Sequence, residues 1–131
     1  MAKVTAKNGK ENYLVAIQTP TGNSVMADEP KEKGGQDIGF SPKELLVSAL
    51  AACTSATVRM YCIRKEWDLK NVHIEIELIE EEGETIFKRK LQFEGNLDDE
   101  QRKRLLNVAN ACPIHKILTR TITVDTLAVI E

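Results

Sequence analysis

The chain has 131 residues and a net charge of −2 from 18 basic and 20 acidic side chains, which fits one domain whose small core a partner subunit could complete. Its 42% hydrophobic and 29% charged residues are those of an ordinary soluble globular protein, and no run approaches the ~18 apolar residues of a span, so a membrane role is not expected. Neither sign of charge gathers into a block, which argues against a nucleic-acid or lipid surface and leaves small molecules or protein as partners.

The first residues, Met1 to Lys7, lack the apolar stretch and small-residue cleavage site of a secretory signal, so a cytoplasmic location is expected. Tyr13 to Ile17 and Ser24 to Ala27 are short apolar runs around the turn signal Thr19-Pro20-Thr21-Gly22-Asn23, and predict a β-meander. Asp28 to Asp37 is charged, glycine-bearing and without period, which reads as a mobile surface connection. Ser41-Pro42-Lys43-Glu44 then supplies a hydroxyl at the N-cap, proline at the first helical position and a carboxylate at the third, a strong helix start. From there to about Arg64-Lys65 the pattern is apolar around most of the circumference, and Ser48 to Thr57 are nearly all small, so a central, closely approached helix is expected.

Val72 to Leu78 alternates with period two, Glu81-Glu82-Gly83-Glu84 turns, and Thr85 to Phe93 continues with Phe87, Leu91 and Phe93 on one face, which predicts a hairpin. Its outward Glu75 and Glu77 are placed to face Lys88 and Lys90. Asp98-Asp99-Glu100 opens a second helix with Leu105, Val108 and Ala109 as its buried stripe, ending near Asn110-Ala111. Pro113 suits the first position of a further helix, which puts Cys112 at an N-cap. Thr121 to Val124 and Leu127 to Ile130 are strand-like.

Three cysteines in a cytosolic chain do not form a secreted disulfide framework and leave metal binding, redox chemistry or burial. A thiol at a helix N-terminus meets free N–H groups and the positive end of the dipole, so the pKa of Cys112 should fall; the alternative is a small buried residue at a helix junction. Cys53, among alanines on an apolar helix, reads first as structural, because apolar burial makes a thiol inert. Cys62 lies nine residues beyond it, on the opposite side of the helix, so those two cannot pair, whereas Cys112 on another element is free to approach Cys53. A 53–112 couple is the intrachain pairing expected. His115 follows Cys112 by three residues, but Cys-Pro-Ile-His without a second ligand pair does not make a zinc site, and neither a metal nor a cofactor is expected. His73 is expected to be solvated, and Tyr61 and Trp67 to lie in the core or an interface.

Phe40-Ser41-Pro42-Lys43-Glu44-Leu45-Leu46 through Ala51-Ala52-Cys53-Thr54, then Arg64-Lys65-Glu66-Trp67 and Ala111-Cys112-Pro113-Ile114-His115, resemble the OsmC/Ohr family over roughly residues 34 to 118. The resemblance implies an α+β fold, antiparallel sheets wrapped around a long central helix, in an intertwined homodimer with its active sites at the subunit interface. It implies that Cys53 is the peroxidatic and Cys112 the resolving thiol of a peroxidase that reduces hydroperoxides, often organic ones, and is reset by an external dithiol.

One departure bears on mechanism. In the family's organic-hydroperoxide branch a glutamate directly follows the proline and contacts an activating arginine from an N-terminal strand; here that position is Lys43, and no arginine precedes Arg59. Glu44 falls on the side of the helix away from Cys53, where capping is its job. The pattern therefore looks more like the general OsmC-like branch, with Lys43 or a cation brought by the dimer as substitutes. Two other functions stay open: a non-catalytic binding protein that keeps an interfacial pocket, and transfer of sulfur or an acyl group on Cys53.

Overall fold

A computed structural model describes residues 2 to 130, which divide into two compact units, one up to Ser48 and one from Ala49. In the first, β1 (Thr5–Asn8), β2 (Val15–Gln18) and β3 (Ser24–Ala27) form an antiparallel sheet in that order. This is the expected meander, extended by β1, whose Thr-Ala-Lys-Asn sequence carries no apolar signal and which is held by pairing alone, as in Ala6 opposite Ile17.

The segment after β3 corrects the expectation of a mobile connection. Asp28 is buried, and its carboxylate accepts the backbone N–H groups of Glu29 (2.8 Å), Gln36 (3.1 Å) and Ile38 (3.3 Å). Burial opposes ionisation, but these bonds prevail and hold the carboxyl below its usual 3.8. A short 3₁₀ turn, Lys31–Lys33, lies inside the loop, and a Cβ added at Gly35 would stand 1.9 Å from the Glu29 carbonyl oxygen, so only glycine fits. A carboxylate that reads as solvent-facing in the sequence is instead the loop's hydrogen-bonding centre.

Helix α1 (Pro42–Lys65) starts as expected, with the Glu44 N–H donating to Ser41 Oγ (3.2 Å) and the Ser41 N–H to Glu44 Oε1 (2.9 Å). By length and composition it is long and apolar enough to cross a membrane, contrary to the expectation that no run approaches a span, a property that core helices of soluble proteins share. Its buried stripe, Leu50, Thr54, Val58 and Cys62, recurs every four residues, so one face packs on protein.

In the second unit β4 (Asp68–Glu81) and β5 (Glu84–Asn96) form a long antiparallel hairpin. The register sets Glu75 opposite Lys90 and Glu77 opposite Lys88, as the alternation requires. At the bulge near Leu69, Gly95 adopts φ 149°, and a Cβ there would stand 2.0 Å from the Asp68 carbonyl oxygen. Helix α2 (Asp99–Ala109) has Asp98 as N-cap in a capping box with Gln101 and buries Leu105, Val108 and Ala109. Helix α3 (Pro113–Leu118) has Cys112 at its N-cap and proline at its start.

The core joins Val58 and Cys62 of α1, Leu69 and Phe93 of the hairpin, and Leu105 and Ala109 of α2. Arginine clamps tie the layers: Arg59 donates to the carbonyls of Leu69 and Lys70, and Arg102 to those of Phe93 and Leu97. The strands expected at 121–124 and 127–130 are not formed; residues 121–130 are irregular and exposed. Their β-branched composition is suited to a strand, but a strand exists only by pairing, and they find no edge within this chain.

Candidate active site

Cys53 lies in the middle of α1 and Cys112 at the junction of α2 and α3, and the structure brings them within hydrogen-bonding reach of each other. Both are free thiols, as is Cys62, which sits in the core on the other side of α1. Cys53 is half-buried and Cys112 fully buried. Cys53 and Cys112 are therefore neighbours, and Cys62 lies apart from them.

The two sulfurs share their donors unequally. Burial opposes ionisation of Cys112, but the Cys53 thiol, the N–H groups of His115 and Ile114 and the Thr54 hydroxyl all stabilise its thiolate, and its pKa falls below the usual 9.0. For Cys53, burial and the neighbouring Cys112 push the pKa up, against help from the Ile114 N–H at 3.5 Å and the Thr57 hydroxyl. The pair thus loses its first proton most easily as a shared anion, with charge favoured on Cys112 and the remaining proton on Cys53. The fall at Cys112 owes most to the Cys53 thiol, with the N–H groups at the start of α3 adding to it in the direction that the N-cap position suggests.

A residue that the sequence reading missed sits beside them. Arg89 faces Ile76 in the hairpin, between the Ile74–Leu91 and Leu78–Phe87 pairs, so it projects from the apolar face. Its guanidinium donates to Thr54 Oγ1 (2.9 Å), Asn110 Oδ1 (2.8 Å) and His115 Nδ1 (3.2 Å). Because a guanidinium only donates, His115 Nδ1 accepts, and the ring proton sits on Nε2. Among the described residues no carboxylate lies within ion-pairing distance of Arg89. An inward cation without a counter-charge, one hydroxyl away from Cys112, is an environment that favours an anion there. The signal was available: Arg89 breaks the alternation Phe87, Leu91, Phe93 where an apolar residue is due.

The other nominated residues are accounted for. Glu44 caps α1 and Lys43 lies in its first turn. His73 is exposed, 3.1 Å from Glu94. Trp67 and Tyr61 pack edge-on at 5.4 Å against the core. No group of three or more His, Cys, Asp or Glu side chains gathers among the described residues in a way that would hold a metal. A cavity of about 500 Å³ adjoins the cluster, lined by Leu50, Ile86, Phe87 and Leu118 with Arg89, His115, Glu84, Thr85 and Thr119 as its polar groups.

The family model for OsmC-like protein matches residues 34–127, which take in both cysteines and Arg89. The chain belongs to the OsmC-like family. No curated protein matches it. Among solved structures it is similar to an OsmC-like protein of Mycoplasma pneumoniae, at 19% identity over 90% of this chain and 86% of that one, with a TM-score of 0.75. The organic hydroperoxide resistance protein OsmC of Legionella pneumophila aligns at 21% identity over 91% and 89%, with a TM-score of 0.67. OhrB of Bacillus subtilis, an organic hydroperoxide resistance protein, aligns at 23% over 91% and 90%, with a TM-score of 0.63. At such identities the shared property is the α+β fold of antiparallel sheets and one long helix.

Proposed function

We propose that this OsmC-like protein is a thiol peroxidase that reduces organic hydroperoxides with Cys53 as the attacking thiol and Cys112 as the resolving one. The observation that carries the reading is the contact of the two thiols at the start of α3, beside an Arg89 that has no carboxylate partner among the described residues. The names of the Legionella and Bacillus proteins point to the same substrate class.

Access supports this division of roles. Cys112 holds charge more easily but is 0% exposed, while Cys53 is half-buried and can be reached. Transfer of the Cys53 proton to Cys112 puts the thiolate on Cys53. That thiolate attacks the distal peroxide oxygen, the O–O bond breaks, and the alkoxide takes a proton from solvent and leaves as the alcohol, so Cys53 becomes a sulfenic acid. The Cys112 sulfur then displaces water from it and closes a disulfide, and an external dithiol reduces that bond through a mixed disulfide. Arg89, without a carboxylate partner among the described residues, adds positive charge beside the pair and so favours its anionic form.

The working unit in this reading is a cytosolic homodimer. Leu46, Ala49, Cys53, Ala56, Met60 and Ile63 follow one another on α1 at alternating spacings of three and four, the seam of a helix pair, and Leu46, Met60 and Ile63 are 43%, 66% and 68% exposed. The unpaired apolar residues of 121–130 are a second face for a partner copy, and three free thiols suit a reducing compartment.

The test is consumption of tert-butyl hydroperoxide with excess dithiothreitol. Turnover lost in Cys53→Ser is expected; turnover equal to the wild type in that variant would sink the proposal. The second reading, a non-catalytic binding protein, is favoured by the 500 Å³ cavity, whose lining includes neither thiol. It requires that Cys53→Ser cells stay as resistant to peroxide as wild-type cells.

A further inference from the structure

A second cavity, of about 390 Å³, opens between α1 and α2 and falls in the ~300–1,000 Å³ range of small-molecule sites. Its apolar wall is Val108, Ala111 and Met60, the last also on the seam proposed for the dimer, and it carries Arg64, Arg104, Tyr61 and Asn107 as polar groups. Arg104 Nε donates to the Tyr61 hydroxyl at 3.0 Å. The guanidinium groups of Arg64 and Arg104 stand 5.5 and 5.7 Å from the Tyr61 ring centre, and the Lys65 ammonium stands 5.8 Å from it.

Three cations on one ring repel one another, yet among the described residues no carboxylate lies within ion-pairing distance of any of them. This is in a chain where acidic residues outnumber basic ones, 20 to 18. Cation–π attraction offsets part of the repulsion, and the C-terminal end of α1 favours Arg64 and Lys65. The helix-end effect does not reach Arg104, which comes from the middle of α2 and is held by the Tyr61 ring and hydroxyl, leaving its charge without a carboxylate partner among the described residues. The Arg104 hydrogen bond, with the charges of Arg104, Lys65 and Arg64, also holds the Tyr61 hydroxyl below its usual pKa, a sign of positive potential here.

We propose that this cavity binds a small amphipathic organic anion, its oxyanion head held by Arg64, Arg104 and Tyr61 and its apolar body laid along Met60, Val108 and Ala111 toward Thr57. Carboxylates and phosphate monoesters share the head-group chemistry, since both accept the forked donors of two guanidinium groups. Thr57 at the far end stands one helical turn beyond Cys53, so the tail of the ligand comes near the thiols while its head stays away from them. Binding at this site does not depend on the thiol chemistry, and it is read without turnover.

Calorimetric titration of the full-length reduced protein at fixed ionic strength tests it, with octanoate, octyl phosphate, octanol and inorganic phosphate as probes. At least one of the two amphipathic anions should bind, with octanol and inorganic phosphate weaker by about tenfold or more. The stronger anion assigns the head group. Arg64→Met with Arg104→Met should weaken binding by more than about tenfold at unchanged circular dichroism, and Arg64→Met alone, which removes no hydrogen bond, should weaken it measurably if the double variant does not fold. Absence of binding by both anions, octanol binding as tightly as the anions, or full affinity in the folded variants would overturn the site.

Discussion

Cys62 and Cys112 are both buried, at 1% and 0% exposure, and their acidities move in opposite directions. Cys62 lies among Val58, Leu69 and Phe93, where burial pushes its thiol up and the charge of Arg59 only partly opposes it. Cys112 suffers the same burial, but two backbone N–H groups, the Thr54 hydroxyl and the Cys53 thiol converge on it and draw its pKa down. Depth in the protein therefore does not separate an inert thiol from an activated one; donors aimed at the sulfur do.

The largest effect that would sharpen this contrast is on turnover. Cys53→Ser should lower hydroperoxide consumption more than about a hundredfold, while Cys62→Ser should change it less than about twofold. Equal losses in the two variants would erase the distinction. Next in size is Arg89→Met, expected to slow turnover by roughly ten- to a hundredfold, the scale of one charge-assisted hydrogen bond of ~1.5–3 kcal/mol. It should also raise the apparent pKa of the first thiolate seen by absorbance near 240 nm, because a positive charge has gone; an unmoved titration would remove Arg89 from the site.

Smaller is the effect on stability across pH. The folded pKa of Cys112 lies below its usual 9.0, so its contribution is full above 9.0 and is lost as pH falls through the folded value. The folded pKa of Cys62 lies above 9.0, so it acts against stability as pH rises past 9.0. Cys112→Ser should thus flatten the rise of Tm with pH below 9.0, and Cys62→Ser should soften its fall above 9.0; the reverse pattern would exchange their environments. The smallest effect lies in the other unit, where Asp28→Asn should reduce Tm by a few degrees at neutral pH. That difference should vanish as pH falls well below 3.8, since the wild-type carboxylate, held below that value, is protonated there too.

What was legible in the sequence was local. The Ser41–Glu44 box, the Glu75–Lys90 register, the stripe of α2 and the N-cap place of Cys112 each depend on residues a few positions apart or on strict alternation. What was not legible needed a partner from elsewhere. Asp28 reads as a surface charge until the backbone of residues 36 to 38 folds back on it. Strand β1 exists because β2 offers an edge, and 121–130, with better strand composition, stays irregular because nothing here offers one. Arg89 lies between these cases: its break in the alternation was visible, but its acceptors come from α1, the end of α2, the turn after it and α3.

The redox couple itself is tested most directly by giving the reduced protein one equivalent of an organic hydroperoxide and mapping its disulfides by mass spectrometry. A bond between Cys53 and Cys112, with Cys62 recovered as a free thiol, is the expected result. Recovery of both Cys53 and Cys112 as thiols, or a bond that includes Cys62, would contradict it.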